Sequence, residues 1–255
     1  MKKSVRFLVT FFAVTSVIAL SCFCFFLVAT ADATLVVSKL VAKGFDAVFY
    51  DADGSEVVAS DCFGRTDVSV ENLPEYVKNA FVAVEDKRFF THKGVDLRAL
   101  ARAAVSDIKS RSLKEGGSTI SQQLVKNTHL SGEKTVMRKL KELKLALELE
   151  NKYSKTEILS FYLNGIYFGN GAYGIEKAAE RYFSKKAEDL TLNEAASLAA
   201  TVKAPSTYNP EAAGNAARKN LVLKLMREQG YISEAEYEDN LGATVVNASE
   251  KSDYF

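Results

Sequence analysis

Only two histidines and three cysteines occur in 255 residues, and tryptophan is absent. His92 and His129 stand far apart, and no Cys/His cluster shows the spacing of a zinc site, which argues against a zinc enzyme. Cys22 and Cys24 fall inside an apolar run, so Cys62 alone remains for the rest of the chain and no intramolecular disulfide is available there. Charge of one sign is lacking too. A formal net charge of +1 gives no field for nucleic acid, so no nucleic-acid partner is expected. Internal repeats and low-complexity segments are also missing.

One long uncharged run is present, from Phe7 to Ala29, and it is long enough to cross a bilayer. Lys2, Lys3 and Arg6 precede it, which keeps the short N-terminus cytoplasmic by the positive-inside bias. The run is too long for the apolar core of a cleaved signal peptide, and no small-x-small cleavage site stands out. The length then leaves room for one domain with a real core.

Beyond the run, Ala47-Val48-Phe49-Tyr50 and Glu56-Val57-Val58-Ala59 flank Asp53-Gly54, which predicts a short hairpin. From Leu73 the signals are helical. Pro74 fits a first-turn position, and Val77, Phe81 and Val84 form the stripe of a helix ending near Glu85. Asp96 predicts the cap of a helix with Leu97, Leu100, Ala101, Ala104, Val105 and Ile108 as its apolar stripe. Gly116-Gly117 breaks the chain, and Ser118 is placed to cap a helix through about His129. A long helix is expected over 135–152. Ser154/Glu157 and Thr191/Glu194 read as capping boxes, Ala204-Pro205 as a helix end, and Ser233 to Asn240 as a last short helix. The domain should be mainly α-helical.

Candidate chemistry gathers at three places. Glu85-Asp86 ends a helix and is followed by Arg88, Phe89 and Phe90; an acidic pair is commonly solvated surface, but aromatic neighbours would raise a carboxyl pKa towards that of a useful base. Ser118, Gln122 and Lys126 share one helical face at i, i+4, i+8, with Gln123 beside them. Above a glycine break such a face suits a diphosphate, since glycine admits close approach and helix-start N–H groups favour an anion. It is not a nucleotide P-loop, because no lysine directly follows the second glycine. In the 135–152 helix, Val136, Leu140, Leu143 and Leu147 form one apolar line; Leu145 and Leu149 form another that carries Arg138 and Glu142. Those two should point inward, as a buried ion pair or into a cleft. Ser106-x-x-Lys109 matches a transpeptidase nucleophile motif but lacks its companion motifs, and reads as chance.

Five blocks in order carry a resemblance: Glu85 to Gly94; Gly116 to Asn127; Arg138-Lys139-Leu140-Lys141-Glu142; Glu157-Ile158-Leu159 through Tyr162-Leu163-Asn164 to Phe168-Gly169; and Ala195-Ala196 through Ala204-Pro205 to Asn209-Pro210. Together the region from about Arg65 to Pro210 resembles glycosyltransferase family 51, the peptidoglycan glycosyltransferases, which occur as monofunctional enzymes and as domains of bifunctional penicillin-binding proteins. The resemblance implies a lysozyme-like helical domain. Residues 1–6 would be a cytoplasmic tail, 7–31 a transmembrane anchor, 32–64 a juxtamembrane stalk with the hairpin, 65–240 the glycosyltransferase domain and 241–255 a tail. It implies lipid II and the growing glycan strand as substrates, the bacterial cytoplasmic membrane as location with the domain outside, and other cell-wall synthesis proteins as candidate partners.

By position, the resemblance makes Glu85 the general base and Glu142 the second essential glutamate. It makes Arg88, Phe89, Arg102, Ser118, Gln122, Gln123, Lys126, Lys134, Arg138 and Asn209 substrate contacts. Lys134 stands where relatives carry arginine, which keeps the charge and loses the guanidinium fork. No cofactor is required by this reading, although Mg or Mn assists the diphosphate in some members. The competing readings are a lysozyme-like enzyme that cuts glycan and a non-catalytic membrane-anchored scaffold. Retention of both glutamates disfavours the scaffold, and a lysine with amides placed for a diphosphate disfavours the hydrolase.

Overall fold

The computed structural model describes residues 2–41, 49–50, 56–57, 68–102, 117–133, 135–243 and 245. Cys62, Ser106, Lys109, Gly116 and Lys134 lie outside the described residues, as does the tail beyond 245. Helix α1 is Lys2–Ala29 and α2 is Val37–Val41. Strands β1 (Phe49–Tyr50) and β2 (Glu56–Val57) pair antiparallel, Phe49 opposite Val57 and Tyr50 opposite Glu56, so the expected hairpin is present. Then come α3 (Glu75–Glu85), α4 (described over 97–102), α5 (Ile120–His129), α6 (Val136–Lys152) and α7 (Lys155–Gly165). The series ends with α8 (Ile175–Phe183), α9 (Leu192–Thr201), α10 (Pro205–Tyr208), α11 (Asn215–Glu228) and α12 (Glu234–Asn240). The protein is mainly α-helical, as its periodicity implies.

Local chemistry sets most boundaries. Thr191 and Ser154 accept from the backbone of Glu194 and Glu157, and each glutamate reaches back to its cap. Ser233 with Glu236 does the same for α12; every such box satisfies two orphan donors of a helix start. Asp96 Oδ1 accepts from the N–H groups of Arg98 and Ala99, which fixes the start of α4.

The core is built around α9, whose Ala195, Ala196, Leu198, Ala199 and Ala200 are fully buried. Small side chains let α3 and α11 approach it closely on two sides. A second group joins α5 to α6 and α7. Gly94 ties the segment after α3 to α6. Its φ is +84°, and an added Cβ would stand 2.7 Å from the carbonyl oxygen of Ala146, so only glycine fits both the conformation and the contact.

Three features differ from the sequence expectation. Leu97 and Leu100 of α4 are exposed rather than the core stripe predicted for them. Helix α6 buries Leu145, Leu149 and Glu142 as expected, but on its other apolar line Val136 and Leu147 are exposed, Val136 by 76%, and Leu140 and Leu143 are half-buried. Finally, the stretch read as a stalk begins inside the fold, since Ala33 and Leu40 belong to the core. Apolar residues 33 and 40 are too few and too scattered to announce that burial by pattern. Among the described residues, Val5–Ala29 is the one helix long and apolar enough to cross a membrane.

Candidate active site

Glu85 is the last residue of α3, and the chain turns there because Asp86 leaves helical geometry (φ −154°). Asp86 is buried, and its Oδ2 accepts the backbone N–H of Ile120 (3.0 Å) and lies 2.8 Å from His92 Nε2. A carboxylate at the first turn of α5 is favourable because helix-start N–H groups carry partial positive charge. That bond pins the end of α3 against α5, so Gln123 of α5 faces Glu85 and donates from Nε2 to Glu85 Oε2 at 2.8 Å. Tyr162 in turn donates to Gln123 Oε1 (3.3 Å), which holds the amide with its nitrogen towards the carboxylate.

Burial pushes the Glu85 carboxyl above the ordinary glutamate range. The hydrogen bond from Gln123 and the positive charges of Arg218, Lys203 and Lys126 pull it back down. Glu85 therefore combines the two properties of a base: reachable, since it is only partly buried, and more basic than a surface carboxylate.

Glu142 is different in kind. It is 1% exposed and pairs with two cations of its own helix: Arg138 Nη1 approaches Oε2 at 2.9 Å, and Lys139 Nζ binds Oε1. Lys139 also donates to Ser118 Oγ (3.0 Å), which links α6 to the segment before α5. The inward ion pair expected at 138 and 142 is present, and Lys139 is a third member that the helical projection did not single out.

A cavity of about 530 Å³ opens beside these groups, lined among others by Lys126, Asn127, Arg138, Gly165, Tyr167 and Tyr173. The rings of Tyr167 and Tyr173 pack at a tilt of 36° with centroids 4.6 Å apart. Arg138 Nε is buried and has no hydrogen-bond partner among the described residues. A buried guanidinium donor left open beside a lysine suits an anionic group of two or more oxygens. Lys126 and Arg138 thus meet at one cavity, as the sequence reading required.

Other predicted contacts fall elsewhere. The start of α5 is closed by the protein itself: Thr119, not Ser118, is the cap, and Gln122 Oε1 accepts from the Thr119 N–H to complete a capping box. Gln122 is therefore buried, and with Asp86 on Ile120 the helix start offers no open cradle for a diphosphate; the cations lie towards the other end of α5. Phe89 has no exposed surface and packs edge-on against Phe90 and His92, with Lys155 Nζ 4.5 Å from its ring centre, so it supports the site from the core and faces no ligand. Asn209 spends its amide on the Pro205 carbonyl and the Glu211 N–H, which makes it a turn residue. Arg88 binds Asp96 Oδ1 at 3.2 Å. Arg102 is exposed at the described end of α4. Lys203 and Arg218 act on Glu85 through charge and were missed, because nothing local in sequence ties residues 203 and 218 to residue 85.

Among the described residues, no group of three or more His, Cys, Asp or Glu side chains is disposed to hold a metal ion. Glu142 is paired with two cations, Arg138 and Lys139.

Comparison with known proteins places the chain in a family. A family model described as Transglycosylase matches residues 55–227. Penicillin-binding protein 1F of Bacillus subtilis is 46% identical over 197 residues, covering 76% of this chain and 28% of that protein. Penicillin-binding protein 1A of Aquifex aeolicus is 45% identical over 212 residues, 81% of this chain and 29% of that protein. Penicillin-binding protein 1A of Escherichia coli is 43% identical over 202 residues, with 78% and 24% covered. The chain spans less than a third of the length of these relatives. The crystal structure of penicillin-binding protein 1A from Haemophilus influenzae aligns with a TM-score of 0.44 at 26% identity, over 72% of this chain and 18% of that one.

Proposed function

Since the chain belongs to the transglycosylase family, we propose that it is a peptidoglycan glycosyltransferase that polymerises lipid II. Glu85 takes the proton of an acceptor sugar 4-hydroxyl while that oxygen attacks C1 of the donor. The C1–O bond to the lipid diphosphate breaks, the diphosphate leaves with the bonding electrons, and configuration inverts from α to β. The transition state has oxocarbenium character, and Lys126 and Arg138 offset the negative charge that grows on the leaving diphosphate. Glu142 holds Arg138 and Lys139 in place. Gln123 orients the base.

The observation that carries this reading is the open, buried Arg138 Nε in a cavity shared with Lys126, and Lys126 is one of the cations whose charge acts on Glu85. A glycan hydrolase needs a carboxylic acid but has no use for such a cationic cavity. The α1 helix is proposed to anchor the protein in the cytoplasmic membrane with Lys2, Lys3 and Arg6 inside and the domain outside. Lipid II, the growing strand and other cell-wall synthesis proteins are the proposed partners.

Detergent-solubilised protein given labelled lipid II should yield glycan strands that lengthen with time, and in intact cells the domain should be open to protease from outside. Fragments released from finished polymer, with lipid II untouched, would transfer the reading to a hydrolase.

A further inference from the structure

The membrane helix does not end in a free tether. Past Ala29 the chain makes a turn in which Thr30 has no exposed surface and the Ala33 N–H bonds to the Thr30 carbonyl at 3.0 Å. Lys144 of α6 reaches into this turn and donates to the carbonyl oxygens of both Thr30 (3.1 Å) and Ala33 (2.7 Å). One turn earlier, Lys141 Nζ pairs with Asp32 at 2.5 Å. A cation is well placed there, because the C-terminal end of a helix carries partial negative charge. The path then runs on into the domain. The Val36 N–H donates to His129 Nε2 of α5 at 2.9 Å, and Leu40 of α2 is fully buried between α5 and α7.

The same α6 carries Arg138 and Glu142, and Glu142 lies between Lys141 and Lys144 in the chain. Glu142 faces inward while Lys141 and Lys144 face the anchor, so one rigid helix joins the two. The outward line of α6, with Val136 and Met137 exposed, leaves apolar surface on the element that meets the anchor.

We propose that Lys144 is a positioning residue that locks the end of the membrane helix to the helix bearing Glu142, which sets the height of the cleft above the bilayer so that a lipid-borne diphosphate enters it without leaving the membrane. Lys141–Asp32 supports this clasp. The consequence for catalysis rests on the glycosyl-transfer reading; the geometric claim does not. A small displacement of reacting groups is enough to slow a reaction strongly, and a loosened anchor would let the cleft ride at many heights.

The test uses the full chain in lipid vesicles, with Cys22, Cys24 and Cys62 changed to serine and a fluorescent probe on Met137→Cys, read by depth-dependent quenchers. The parent should show one narrow depth, and Lys144→Met should shift or broaden it while Lys144→Arg preserves it. Asp32→Lys should disturb it partly, and Lys141→Asp in the same molecule should restore it. On activity, Lys144→Met should lower kcat/KM for long-chain lipid II in vesicles by about tenfold, mainly through KM. Turnover of a short-prenyl analogue in detergent should be unchanged. An unaltered probe depth in Lys144→Met overturns the proposal, as does an equal loss on both substrates with a lowered Tm. A parent that uses neither substrate refutes the glycosyl-transfer reading, and the depth measurement still decides the clasp.

Discussion

At Glu85 two influences oppose each other: desolvation raises the carboxyl pKa, and Gln123 with three cations lowers it. The folded-state pKa stands above the ordinary glutamate value, so with Glu85 as the proposed base, activity should fall on the acid side at a higher pH than a surface carboxylate would give. The same sign governs stability. A carboxyl whose pKa is raised on folding favours the folded state below its unfolded pKa, and that contribution disappears as pH rises through the folded pKa. Gln123→Leu removes the one hydrogen bond that favours the ionised form, and should move the acid limb of the activity profile to higher pH while lowering maximal turnover. An acid limb that stays in place would mean that Gln123 does not orient the base. Glu85 and Lys126 were legible as candidates from helix ends and helical spacing. The Asp86–Ile120 bond was not, because it joins residues 34 positions apart.

Among the elements, helices with local punctuation were the most readable. Thr191/Glu194, Ser154/Glu157 and Ser233 set their helix starts through contacts three residues long, which a sequence displays directly. The start of α5 shows where that reasoning slips. Ser118 and Thr119 both offer a hydroxyl, and the decisive signal was the Thr119-x-x-Gln122 spacing of a capping box. Choosing Ser118 left Gln122 apparently free for a ligand. For α6 the projection placed Arg138 and Glu142 inward correctly, but periodicity alone could not say that the opposite line would be only half covered, with Val136 and Leu147 exposed. Glu142→Gln would keep an acceptor while removing the charge that balances Arg138 and Lys139. Loss of a buried partner is strongly destabilising, and the retained amide oxygen should limit the cost to about 2 kcal/mol. We expect Tm, activity and binding of a diphosphate-containing inhibitor to fall together. Native Tm and binding with only turnover lost would make Glu142 a direct participant in the chemistry.

Over the whole molecule, a core centred on α9 supports α3, while α5 and α6 bring Lys126 and Arg138 to one cavity and the charges of Lys126, Lys203 and Arg218 act on the Glu85 that α3 presents. The chain from α1 passes through this second group before the hairpin, so the end of α1 and the cleft are built from shared elements. Sequence order could not reveal this, since Leu35-Val36-Val37 and Leu40 follow directly on the long apolar run and are too short a stretch to mark a core of their own. The central claim is that Glu85 is the base of a transfer reaction held in a site otherwise complete without it. Glu85→Gln keeps shape and hydrogen bonding capacity, and it removes a carboxylate that desolvation makes costly, so folding should not suffer. The most direct measurement is the rate of glycan-strand formation from labelled lipid II by Glu85→Gln, beside its Tm and its binding of a diphosphate-containing inhibitor. We expect strand formation to be abolished with Tm and binding at least as high as in the parent protein; strands formed at the parent rate by that variant would contradict the assignment of the base.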